Sequence, residues 1–359
     1  MRGIGCRSIG RRVVLGLPLG LWPALVRPAA AGQEASGPGG PVPAVRSGWR
    51  GVNLVRTPQA PLGGEACGRS LARLKALGAD SLALVYFFWQ ERPDSAAVGL
   101  GSDYTLEELR AGIRQARALG FRVLLKPHVW VPGTWAGAIA PTREADWQSW
   151  FAGYGAGLEI LAALAAGEGA EAFALGTELR GTSARPEWTD LIRRVRARFS
   201  GTLTYVAHWD GEVERVPFWP LLDVAAVSLY PPLGQTADEL PVAVGRWADR
   251  LVDWRRAVGR PLWVGELGLR SALGAQVRPW ESAEEREAAP DPTGQAAVLA
   301  AWLAALGQRG FGDVLVWRWF SDPALGGAAD TDFTVQGKPA EAVLRCAFGG
   351  GCDPHGAVR

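Results

Sequence analysis

The chain has 359 residues, 48% of them hydrophobic and 21% charged, a balance that fits a globular protein of one large domain or two small ones. A formal net charge of +2 leaves no electrostatic footprint for nucleic acid. Three histidines, with no Cys-x-x-Cys or His-x-His pattern, argue against a zinc or iron site, and no metal or other cofactor is expected. Seventeen tryptophans are an excess. They serve either core packing or a cleft in which sugar C–H faces stack on indole rings.

In chain order, basic residues through Arg12 precede an apolar run from Val13 to about Val26, and Ala29-Ala30-Ala31 follows. This is the layout of a cleavable signal peptide over residues 1–31, and the run is too short for a comfortable membrane span. Arg11-Arg12 followed by Val-Val-Leu resembles a twin-arginine export signal; an uncleaved anchor is the other reading. Residues 32–46 are rich in Gly and Pro and read as a linker. The expected mature protein is a catalytic barrel over 47–350 with a tail over 351–359, exported to a periplasm or the extracellular space, monomeric and not membrane-bound. Cys6 leaves with the signal. Cys67, Cys346 and Cys352 remain, enough for one disulfide and one thiol in an oxidising compartment, with the pairing open.

Eight apolar runs of strand length follow, beginning at Gly48, Asp80, Phe121, Glu171, Thr202, Val224, Pro261 and Asp313. Near-continuous hydrophobicity is what strands covered on both faces require, so a parallel sheet is predicted. Amphipathic segments alternate with them. Leu71, Leu74 and Leu77 recur at helical spacing, Thr105 and Glu108 form a capping-box pattern, and Gly78, Gly120 and Gly259 stand where helix C-caps belong. Eight strand–helix repeats point to an α/β fold, a single (β/α)8 TIM barrel. A doubly wound sheet is the alternative, but no Gly-x-Gly-x-x-Gly follows the first strand.

In such barrels the reactive groups lie at the C-terminal strand ends. Glu178 ends the fourth strand in LGTELRG and Glu266 the seventh in WVGELGLRS, with Gly176 and Ala174 expected to leave room inside the barrel beneath Glu178. Two carboxylates across a cleft suit glycosidic-bond hydrolysis, one as proton donor and one as nucleophile or base. Taken singly, each fits a helix cap or a salt-bridged rim residue equally well. Lys126 and His128 end the third strand on one face; a lysine in an apolar strand needs a carboxylate or substrate hydroxyls as partner. Asn53 ends the first strand and is a candidate for a sugar hydroxyl. Arg270 shares the parity of Glu266 and either pairs with an acid or lines the cleft. His208, Trp209 and Asp210 end the fifth strand, and Asp332 follows the eighth. Trp130 and Trp280 lie in the long connections after strands three and seven, whose length suggests cleft walls.

LGTELRG, SLYPPL, WVGELGLRS, RPWES and TDFTVQGKPA, in this order and spacing, resemble glycoside hydrolase family 113 of the clan A retaining glycosidases, from about Trp49 to Phe348. Characterised members of that family are β-1,4-mannanases. The resemblance implies Glu178 as acid/base, Glu266 as nucleophile, Tyr230 against the nucleophile, and Trp319 as a floor under the cleaved sugar. Clan A commonly has Asn before the acid/base, where it bonds the sugar 2-hydroxyl; here Thr177 stands there, which leaves open another β-glycan or an exopolysaccharide as substrate. A non-catalytic carbohydrate-binding barrel is the alternative of a different class.

Overall fold

The computed structural model describes residues 48–352. The expected signal peptide, the linker and the tail from 353 onward lie outside the described residues.

Eight parallel strands close into a barrel: β1 (Arg50–Val55), β2 (Ser81–Trp89), β3 (Arg122–Trp130), β4 (Ala172–Thr177), β5 (Thr202–His208), β6 (Ala225–Leu229), β7 (Leu262–Leu267) and β8 (Val314–Phe320). β1 pairs with both β2 and β8, which removes the sheet edges. A two-residue antiparallel segment, Gly99–Leu100, adds to the end of β2. Among the described residues seven α-helices surround the barrel: α1 (Glu65–Ala76), α2 (Leu106–Ala118), α3 (Glu144–Gly167), α4 (Glu187–Arg196), α5 (Glu239–Val258), α6 (Pro292–Gln308) and α7 (Ala340–Phe348). The expected eighth is missing among the described residues. β5 connects to β6 through a 3-10 turn, Trp219–Leu221, whose Trp219 is buried in place of a helix face.

Local chemistry explains several element ends. Thr105 caps α2, its hydroxyl accepting from Glu108 N at 3.1 Å, but the reciprocal half of the capping box does not form. The Glu108 carboxylate instead takes Arg56 and the Leu62 amide. Gly120 and Gly259 turn the chain after α2 and α5 with φ of 75° and 65°, a region that excludes most side chains. α3 is long and apolar enough to cross a membrane by length and composition, yet Trp150, Tyr154, Leu158 and Leu161 on it are buried within this fold.

The core has two layers. Outward strand residues and the helices share one large cluster. Inside the barrel the side chains are smaller, including Ala83, Ala172, Ala174, Val206 and Ala226, and Trp49 packs on Trp263 at 4.8 Å to close the N-terminal end. Asp80 binds both Arg50 and Arg122 at that end, and Arg122 lies over the Trp49 ring. Small residues below and large ones at the base leave the C-terminal end of the barrel open to polar groups. No disulfide joins the cysteines among the described residues; Cys67, on the inner face of α1, is buried and Cys352 is exposed.

Candidate active site

β3 and β6 keep strict alternation into the site. Leu124, Lys126 and His128 form one inward row, and Ala226, Ser228 and Tyr230 another. β4, β7 and β8 do not. On β4 the register with β5 slips between Ala174 and Thr177. A side chain at Gly176 would meet the Tyr154 hydroxyl at 3.0 Å, so Gly176 faces α3 and not the barrel interior expected for it. The slip ends at Glu178, whose φ of 55° makes it the one non-glycine with positive φ among the described residues. Such a conformation costs of order 1–3 kcal/mol and persists where its surroundings over-determine it. Here the Glu178 amide donates to Val206 O of β5 at 2.8 Å, and Ser228 of β6 donates its hydroxyl to Glu178 Oε1. On β7, Val264 pairs with Val227 but Glu266 pairs with Ser228, so Gly265 is an extra residue. A Cβ there would stand 3.0 Å from Val206. This bulge turns Glu266 inward, although Val264, two residues earlier, faces the helices.

Ser228 therefore stands between the two glutamates: it is the register partner of Glu266 and the hydrogen-bond donor to Glu178. Glu266 is 3% exposed. Lys126 Nζ donates to its Oε1, Tyr230 donates to its Oε2 at 2.7 Å, and His128 Nε2 lies 3.3 Å from Oε1 but out of line for a hydrogen bond. Burial alone would raise the Glu266 carboxyl; the Lys126 charge and the His128 contact more than reverse this and bring it down to about 2. Glu178 goes the other way. Burial and the charge of Glu266 push it up to about 8, against the Ser228 hydrogen bond and the more distant Lys126. Burial and the neighbouring Lys126 lower His128, which is neutral at pH 7.

Other expected site residues are placed differently from their sequence reading. Asn53 is fully buried; its amide donates to the carbonyls of Gly265 and Leu315, and its oxygen accepts from Lys126 at 2.6 Å, so it holds the lysine and presents nothing to a sugar. Thr177 is 1% exposed, with its hydroxyl donated to Pro127 O at 3.1 Å. Arg270 neither pairs with an acid nor lines the cleft. Its buried guanidinium donates to the carbonyls of Thr331, Ser282 and Arg286 and so ties the connection after β7 to that after β8. Asp332 is engaged by Arg318 at 3.0 Å. Trp319 is fully buried, donating to Ser70 Oγ on α1 at 2.8 Å, and is no floor for a ligand. The cause is a register break: Val52 pairs with Val316 and Leu54 with Trp319, so an additional residue of β8 stands opposite Asn53. Trp317 takes the inward position, its ring 5.4 Å from His128 and 5.3 Å from Lys126 Nζ, and the Trp317–Arg318 peptide is cis.

Aromatic side chains ring the opening. Trp130 is half-exposed beside its register partner Trp89 and meets Phe87 edge-on. Trp280 stacks on Trp209 at 5.9 Å, and Trp135 meets His208 at 4.8 Å. Burial and Arg180 lower His208 to about 4, so it is neutral above that pH. Two acids or hydroxyls were missed by the sequence reading. Ser228 was findable, since it lies two residues before Tyr230 on the same face. Glu212 was not: it follows β5 in a turn, buried, where it accepts from Tyr205 at 2.6 Å and from the His208 amide. Among the described residues no group of three or more His, Cys, Asp or Glu is placed to hold a metal ion.

The model of glycoside hydrolase family 113 matches residues 56–338. Among solved structures, the family 113 β-mannanase AaManA from Alicyclobacillus acidocaldarius is 27% identical with a TM-score of 0.74, covering 86% of this chain and 99% of its own. A second family 113 β-1,4-mannanase is 25% identical with a TM-score of 0.74, covering 84% and 98%. A β-glucuronidase from Ruminococcus gnavus shares the fold, with 14% identity, a TM-score of 0.56, and coverage of 83% of this chain and 49% of its own. No curated protein matches the chain.

Proposed function

The chain belongs to glycoside hydrolase family 113, and from that premise we propose that it is a retaining β-1,4-mannanase working by double displacement with Glu266 as nucleophile and Glu178 as acid/base. The observation that carries this reading is the split between the two carboxyls. One is pushed up to about 8 and the other down to about 2 at facing strand ends, the pattern of an acid and a nucleophile sharing one site.

In the first step Glu266 forms a bond to the anomeric carbon, the glycosidic C–O bond breaks, and the departing oxygen takes the Glu178 proton. In the second, Glu178 takes a proton from water, the water oxygen bonds the same carbon, and the Glu266 carboxylate leaves. Tyr230 and Lys126 fix the carboxylate plane of Glu266 before attack. Ser228 fixes Glu178. Trp317 supports the cleaved sugar in the place expected of Trp319, with Trp130, Trp209 and Trp280 as sugar platforms further out. The mannan assignment rests on the β-mannanase neighbours. Thr177 supports a second reading on the sugar alone: with its hydroxyl given to Pro127, it offers no free donor to a 2-hydroxyl, so another β-glycan or an exopolysaccharide is the competing substrate.

Reducing-sugar release from mannan, glucomannan and β-glucan tests this. Release from mannan that is lost in Glu266→Gln is expected. Release from β-glucan alone would overturn the substrate, and release that persists in Glu266→Gln would overturn the mechanism.

A further inference from the structure

Lys126 has no contact with solvent; its charge reaches Glu178 and His128 at longer range, and three groups lie against its ammonium. They are Glu266 Oε1, Asn53 Oδ1 at 2.6 Å, and the face of Trp317, whose ring centre is 5.3 Å away. Asn53 cannot turn aside, because its amide is held by two strand carbonyls at 3.1 and 3.3 Å. The lysine is therefore fixed, and Glu266 is the carboxylate in contact with it. A buried charge whose partner is removed is strongly unfavourable.

Resting on the two-glutamate reading above, we propose that Lys126 is a positioning residue for the second half of the reaction, making Glu266 a good leaving group when water breaks down the glycosyl-enzyme. In the resting enzyme the negative charge is on Glu266, touching the ammonium. When Glu266 bonds the anomeric carbon and Glu178 gives its proton to the departing oxygen, that charge moves to Glu178. Lys126 is in contact with Glu266 and reaches Glu178 only at longer range, so the ammonium exchanges a contact ion pair for a weaker, more distant one and is left touching a neutral ester. Breakdown reverses this. The water oxygen bonds the anomeric carbon, its proton goes to Glu178, the electron pair of the C–Oε bond returns to Glu266, and the contact pair re-forms. Burial lowers Lys126 while the charge and hydrogen bond of Glu266 raise it, and no proton of the lysine is transferred in either step. The pair thus holds back formation of the intermediate and hastens its breakdown.

The test is Lys126→Met, of similar length and uncharged, on 2,4-dinitrophenyl β-mannobioside, whose leaving group needs little acid help and makes the second step limiting. We expect kcat to fall about 100-fold with KM falling nearly in step, so that kcat/KM at pH 7 changes by less than about 10-fold. Intact-mass measurement should show a covalent glycosyl adduct absent from the parent enzyme. The acid limb of kcat/KM should also move to higher pH, because Glu266 loses its counter-charge. Asn53→Ser, which loosens the ammonium and also frees the Gly265 and Leu315 carbonyls, should show the same split at roughly 10-fold and serves if Lys126→Met does not fold. An equal loss in kcat and kcat/KM without adduct, or complete loss of cleavage in a protein with unchanged Tm, would overturn the proposal. Undiminished turnover in Glu266→Ala, or a first product of inverted configuration, would instead remove the two-glutamate reading.

Discussion

Burial and the Glu266 charge push the Glu178 carboxyl up to about 8, so at neutral pH it enters the reaction protonated. Activity that needs this proton falls as pH rises through that value, and a kcat/KM profile with its alkaline limb near 8 is expected. Glu178→Gln should lower kcat/KM on mannan by about 10²-fold or more, remove that limb, and cost less on an activated aryl glycoside. Stability carries an opposite sign for the two acids. Glu178 has a folded value above its unfolded one, so its contribution is full below about 4.3 and is lost as pH rises through its folded value. Glu178→Gln should therefore raise Tm relative to the parent more at pH 8.5 than at pH 5, by a few degrees, which thermal melts at both values measure. Glu266 is lowered, so its contribution is present above about 4.3 and disappears as pH falls toward 2.

Register breaks on β4, β7 and β8 set which side chains reach the site, and the period-two reading of the sequence is blind to them. It located Glu178, Glu266, Lys126 and His128 because each stands at the end of an apolar run, and the family resemblance added Tyr230. The family resemblance put Trp319 under the sugar; period two gives Trp317 and Trp319 the same face, and nothing in DVLVWRWF marks the extra residue opposite Asn53. The swap is testable. Trp319→Ala empties a fully buried site and should cost about 3–5 kcal/mol in denaturant melts while the folded fraction stays active. Trp317→Ala should leave Tm nearly unchanged and lower kcat/KM by about 10–100-fold. Arg270 was misread for a related reason. A buried arginine need not have an acid, since loop carbonyls can satisfy it, and carbonyl partners leave no trace in sequence spacing. Arg270→Ala should destabilise by about 2–4 kcal/mol by leaving those carbonyls unpaired, and should speed proteolysis between β7 and α6.

The whole barrel was legible because eight apolar runs and their intervening helices repeat, and closure follows from that repeat. What did not show was the missing helix after β5, where a buried 3-10 turn does the covering, and the polar wiring at the open end, made by residues far apart in sequence. Lys126, Asn53 and Glu266 come from three strands and Tyr230 from the residue after a fourth, β6, and only barrel closure brings them together. Packing at the base and chemistry at the open end are thereby separated, with the Asp80 ion pairs and the Trp49–Trp263 contact supporting the fold away from the cleft. The central claim for this molecule is that its two glutamates act in two successive displacements at one carbon. Proton NMR of the anomer first released from manno-oligosaccharide tests it most directly. The account predicts the β-anomer first, mutarotating to the α-anomer later. First appearance of the α-anomer would contradict it.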